Sequence, residues 1–170
     1  MPLYSIGHSN HEPEKFFGLI ESHGIEKLID IRRVPYSGRF PHFNRDNLFE
    51  SCEERGIEYV WMGESLGGAK GTDRDIGEIE SSGQFIESIK NIARVYSADD
   101  SETACLLCAE RNPKECHRAT LVGRALRALE LKPIDLQHIL HDGTLISQSD
   151  LELRGDVRGV DRSGTLNLFD

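Results

Sequence analysis

The chain has 170 residues, 38% hydrophobic and 29% charged, with a formal net charge of −9. That length carries one α/β unit with a sizeable core, no run is apolar enough to span a bilayer, and the acidic balance disfavours broad non-specific nucleic-acid binding. Four cysteines without framework spacing point to a reducing cytoplasm, where thiols serve chemistry or metals rather than disulfides.

Leu3 to Ile6 reads as a first strand, ending at Gly7-His8-Ser9-Asn10. Pro13 to His23 has the apolar stripe of a helix in Phe16, Phe17, Leu19 and Ile20, with Gly24 as its stop. Lys27 to Ile31 is a second strand that runs into Arg32, Arg33 and a loop rich in proline, arginine and aromatics. Asn44 is placed to cap a short helix ending at Gly56, and Ile57 to Met62 is a third strand leading to Gly67-Gly68. A helix is expected over Gly83 to Tyr96. Thr103 to Ala109 is a buried interior strand, an apolar run between polar flanks. Asn112, Pro113 and Glu115 then have the spacing of a capped helix start, which predicts Cys116, His117 and Arg118 in the first helical turn. Ile134 to Leu140 is the fifth strand. The alternation predicts an α/β fold: an open, mostly parallel five-stranded sheet with helices on both faces, Rossmann-like and three-layered. Residues 1–152 form a single α/β domain in this reading, and residues 153–170 a flexible tail.

Ligands of open parallel sheets bind beyond the C-terminal strand ends. Those ends carry His8, Ser9 and Asn10; Asp30, Arg32, Arg33 and Arg39; Gly67 and Gly68; Cys108, Glu110, Arg111, Cys116, His117 and Arg118; and His138, His141 and Asp142. A thiol flanked by His and Arg at a helix start favours its thiolate. Cys116 is therefore the candidate nucleophile, with His117 or His8 as base and Asp30 orienting arginines. Ser9, Asn10, Arg32, Arg33, Arg39, Gly67, Gly68, Glu110, Arg111 and Arg118 are candidates for binding substrate or an anion. Plainer readings stand beside these. His8 also suits a bond within its own loop, Asp30 and Arg32 suit an ion pair, and the Arg39-Phe40 loop is either surface or a base-stacking flap. Cys108, Cys116 and His117 form an alternative metal set, with His8 as a fourth candidate ligand. Cys105 lies three residues from Cys108 on a strand, faces the other way, and reads as core. No cofactor is expected.

Gly7-His8-Ser9-Asn10, Asp30-Ile31-Arg32 with Pro35 and Phe43-Asn44, Leu66-Gly67-Gly68, and Cys108-Ala109-Glu110 followed by Cys116-His117-Arg118 recur in one order. The set resembles an uncharacterised family catalogued as domain of unknown function four-eight-eight, over about Leu3 to Asp142. The resemblance implies a cytosolic α/β domain whose motif residues form the active site, and it supplies no reaction. Separately, Thr165-Leu166-Asn167-Leu168-Phe169 resembles the clamp-binding peptide of bacterial replication and repair proteins, with Thr in place of the usual Gln. Leu166, Leu168 and Phe169 would dock on a sliding clamp, or else pack back on the domain. The expected function is an enzyme acting on a phosphate-bearing substrate, a nucleotide or nucleic acid, with a DNA-repair link. Rival readings are a non-catalytic nucleotide- or DNA-binding module and a metal or iron–sulfur protein.

Overall fold

The computed structural model describes residues 3–70, 73–97, 102–130 and 133–154. The expected docking peptide at 165–169 lies outside the described residues. Five parallel strands form where the apolar runs predict them: β1 (Tyr4–Gly7), β2 (Lys27–Asp30), β3 (Glu58–Trp61), β4 (Ala104–Cys108) and β5 (Gln137–Ile139). A sixth strand, β6 (Leu145–Ser147), pairs antiparallel with β5, so the sheet order is β3-β2-β4-β1-β5-β6. The sheet is thus the expected open, mostly parallel one, extended by one short edge strand.

β4 sits third in this order and is buried along its whole length. Its sequence Ala-Cys-Leu-Leu-Cys fits, because an interior parallel strand has a helix layer on each side. On one face pack α1 (Pro13–Ser22) and α2 (Arg45–Glu53), whose Phe16, Ile20, Leu48 and Cys52 meet Leu28, Cys105 and Leu107. On the other face α3 (Gly83–Tyr96) packs Phe85, Ile89 and Ile92 against Ile29, Leu106 and Cys108. Cys105 and Cys108 therefore do face opposite layers. Asn44 holds the position before α2, but its side chain makes no capping bond there; its Oδ1 instead accepts from Ser37 N at 2.6 Å, tying down the preceding loop.

The expected helix start around Cys116 is built differently. Asn112 and Pro113 open only a single 3-10 turn, Pro113–Glu115, with Asn112 Oδ1 accepting from Lys114 N. Cys116 is extended, at φ −117° and ψ 139°. The helix begins one residue later: His117 is helical, and Thr120 N donates to Cys116 O at 3.1 Å. Cys116 thus holds the cap position rather than the first turn. The next six residues, Arg118–Gly123, wind as a π-helical turn before α4 (Arg124–Arg127). This helix packs on the α3 side, with Leu121, Val122 and Leu126 in the same core as Cys116. The chain therefore leaves β4 towards the opposite layer from α1 and α2, the change of side at which open parallel sheets place their sites. No helix among the described residues is long and apolar enough to cross a membrane.

Candidate functional site

Cys108 closes β4, and Cys116 caps the helix that follows. His117 brings its ring to both: Cys108 Sγ lies 3.4 Å from His117 Nδ1, and the two sulfurs and an imidazole nitrogen lie within 4.8 Å of one another. His117 Nε2 is 3.0 Å from Ile31 O, the residue after β2. A carbonyl only accepts, so Nε2 carries the proton and Nδ1 faces the sulfurs. Gly68 makes this possible. A Cβ there would lie 2.9 Å from His117 Cγ, so its absence lets the segment pass over the ring without displacing it. Arg33 fixes that segment through Nε to Gly68 O at 3.0 Å and Nη2 to Gly67 O at 2.7 Å.

Burial works against ionising Cys116, but the hydrogen bond from Cys108, the contact with the His117 ring and the charge of Arg118 outweigh it. They hold the Cys116 thiol well below the usual thiol range. Cys108 goes the other way: burial and the neighbouring Cys116 sulfur push its thiol well up. The two thiols are thus pushed apart, Cys116 towards its thiolate and Cys108 towards its protonated form. Both are buried, as are Cys52 and Cys105, and all four cysteines are free.

The expected anion-binding arginines are largely engaged inside the protein. Arg118 is fully buried and donates to Glu110 O at 2.6 Å and Arg111 O at 3.2 Å, pinning the loop between β4 and the 3-10 turn. Its Nε is buried without a partner among the described residues. Gly7 is required beside it, since a Cβ would fall 1.8 Å from Glu110 O and 2.4 Å from Arg118 Nη1. Arg32 forks onto Asp30, at 2.8 Å from Nε to Oδ1 and 2.6 Å from Nη2 to Oδ2, and its Nη1 donates to Phe43 O. The plainer ion-pair reading of Asp30 and Arg32 is the one seen. Tyr59 Oη completes the pair's shell with a 2.7 Å bond to Asp30 Oδ2.

His8 is joined to the site by backbone: its N–H donates to Cys108 O, and Ser9 N donates to Ala109 O. Its ring stacks on Phe43 at 4.4 Å and bonds Ser9 O. Burial first, then the charge of Arg32, lowers its pKa to about 4, so it stays neutral near pH 7 and takes up a proton poorly. Ser9 has a φ of 49°, a left-handed conformation that is uncommon for a residue with a side chain, and its Oγ donates to Asn10 Oδ1. Arg39 lies exposed over the Phe40 ring at 5.6 Å, and no contact joins it to the thiols.

Sequence reasoning missed several neighbours. Lys70 reaches Glu110 at 2.7 Å, and its charge acts on both Cys108 and Cys116. Phe43 and Tyr59 shape the surroundings of His8 and Asp30. Only the glycine pair marked the Lys70 segment in the sequence, and Phe43 was visible as part of the aromatic loop. No curated protein and no solved structure matches the chain. A family model, described as Domain of unknown function DUF488, matches residues 12–125. The match starts after Gly7–Asn10 and ends before Asp142, so it is narrower than the motif set, but it takes in Asp30–Arg32, Gly67–Gly68, Cys108 and Cys116–Arg118. With more than half its length matched, this chain belongs to the DUF488 family.

Proposed function

We propose that this protein is an enzyme that uses the Cys116 thiolate as a nucleophile on a phosphate-bearing substrate of the nucleotide or nucleic-acid class. One observation carries the reading: Cys116 lies just before the helix that His117 opens, with its sulfur within 4.8 Å of Cys108 Sγ and a His117 nitrogen. A helix start, a thiol donor and an imidazole are means by which proteins activate cysteine. Cys108 supplies a hydrogen bond to the sulfur, and His117 Nδ1 takes or returns the proton. Arg118 holds the loop that carries Cys108's neighbours in place and adds positive charge. Asp30, Arg32 and His8 position the strand ends. Iodoacetamide labelling of the native protein at pH 7, followed by peptide mapping, tests this. Cys116 should be modified well ahead of Cys108, Cys105 and Cys52. An inert Cys116 under conditions where another cysteine reacts sinks the proposal.

The same three side chains support a second reading. Around tetrahedral zinc, sulfur and nitrogen ligands stand about 3.5 Å apart, given zinc–sulfur and zinc–nitrogen bonds of about 2.3 and 2.0 Å. The 3.4 Å from Cys108 Sγ to His117 Nδ1 fits that spacing. A ligating imidazole also commonly donates its other N–H to a carbonyl, as His117 Nε2 does to Ile31 O. Three protein ligands leave one position for a reactant. Elemental analysis of protein purified without a metal-affinity tag separates the two readings. Stoichiometric zinc that is lost in Cys108→Ser supports the metal; its absence leaves the thiolate.

A further inference from the structure

The ends of β1 and β5 bring two imidazoles together away from the thiols. His11 and His141 stack with ring centroids 4.1 Å apart and planes 14° apart. His11 is only 4% exposed. Its Nε2 and the Nδ1 of His141 are buried with no hydrogen-bond partner among the described residues. Buried polar atoms are nearly always satisfied, because leaving one bare costs about 1–3 kcal/mol. Two bare nitrogens on one stacked pair call for a binding partner.

The charges around the pair specify what that partner is. The charges of Lys15 and Arg111 act on both rings, and neither side chain has a carboxylate partner among the described residues. Burial, then the facing basic groups, lowers His11 to about 4 and shifts His141 down as well. Asp142 is the acid that acts on His141, and it is engaged with Thr144, accepting from N at 3.0 Å and Oγ1 at 2.7 Å. His42 approaches only the His11 carbonyl. The pair also stands at the start of α1, whose cap residue Glu12 makes no side-chain bond to the first-turn amides. Two stacked rings with bare nitrogens thus stand where the charges of Lys15 and Arg111 are both felt.

We propose that His11, His141, Lys15 and Arg111 form an oxyanion site that takes a phosphoryl group, the anionic end of the substrate handled at Cys116. This rests on the phosphate-bearing reading above and relocates its anchor, since Arg32 and Arg118 are committed to partners within the protein. The two rings donate to the phosphoryl oxygens as they gain protons, and Lys15 and Arg111 supply the balancing charge.

Two-bond nitrogen–proton NMR spectra of the full chain, titrated with inorganic phosphate at constant ionic strength, read the site directly. The His11 and His141 signals should move together and saturate, and their titration midpoints should rise by at least one pH unit. His138 should not respond. The exposed double variant Lys15→Met, Arg111→Met should bind phosphate at least tenfold more weakly. Unmoved His11 and His141 signals, or equal affinity in the double variant, overturn the proposal. A response retained in Cys116→Ser supports a site separate from the thiol. Selective Cys116 alkylation without any phosphate response removes this site alone, and a full response with an inert Cys116 keeps this site while removing the thiol reading.

Discussion

Asp30 binds Arg32 through both carboxylate oxygens, accepts from Arg32 N and holds the Tyr59 hydroxyl. It is fully buried, and Arg32 is 4% exposed. Removing one member strands the other without water, which costs about 3–5 kcal/mol. Asp30→Ala should therefore lower the urea midpoint sharply. A loss under 1 kcal/mol would mean that Arg32 finds other partners. His138 offers a second test at this scale. It is fully buried, takes a 2.6 Å bond with Ser5 Oγ at Nδ1, and donates from Nε2 to Gln148 Oε1 at 2.8 Å. Burial chiefly lowers its pKa from 6.5 to about 4. Between those values the unfolded chain holds more protons than the folded one, so stability rises with pH across this window. The contribution is complete above 6.5 and is lost as pH falls towards 4, by about 3 kcal/mol in all. His138 should show no imidazole titration by NMR between pH 7 and pH 5.5; a midpoint near 6.5 would contradict the buried network.

At the scale of elements, two glycines set the spacing between the end of the sheet and the site, and they should respond differently. An alanine Cβ at Gly7 meets backbone, Glu110 O at 1.8 Å, and the pinned Arg118. Neither can yield, so Gly7→Ala should cost at least the roughly 1–3 kcal/mol of an overpacked core. At Gly68 the obstacle is the His117 ring, at 2.9 to 3.2 Å, which can tilt. Gly68→Ala should keep the melting temperature within a few degrees while disturbing the His117 bond to Ile31 O. Its expected signature is slower iodoacetamide labelling of Cys116 at pH 7, by several-fold. Equal labelling rates in Gly68→Ala and wild type would show that the ring position does not govern the sulfur.

Over the whole molecule, the strand order predicts how the fold opens. β4 lies between β1 and β2 and is buried throughout, whereas β3 and β6 lie at the edges. Native-state hydrogen exchange should protect Ala104–Cys108 longest and release Leu145–Ser147 early; β6 outlasting β4 would contradict the order. The interior strands were legible because they are continuous apolar runs, and α1 and α3 because their buried residues recur at helical spacing. β6 has three residues, Leu145 among them 45% exposed, and leaves no periodic trace. The chain around Cys116 misled because Asn112, Pro113 and Glu115 suit a 3-10 turn as well as an α-helix. Charge was legible and its destination was not: only folding shows that carbonyls of Glu110, Arg111 and Phe43 occupy the two central arginines. His11 and His141 are distant in sequence, and their stacking follows from β1 and β5 being neighbours, a pairing that local pattern does not encode.

The π-helical turn at Arg118–Gly123 sets the phase of everything that precedes it. A π turn is an α-helix with a residue too many, and each residue of helix amounts to about 100° of rotation. Deleting Thr120 would restore an ordinary pitch with every named side chain of the site still in the chain. It would also swing His117 and Arg118 by about 100° relative to α4, away from Ile31 O and from the carbonyls of Glu110 and Arg111. The site is therefore encoded in a residue count as much as in residue identities. A single-residue deletion in this stretch should abolish Cys116 reactivity as completely as Cys116→Ser.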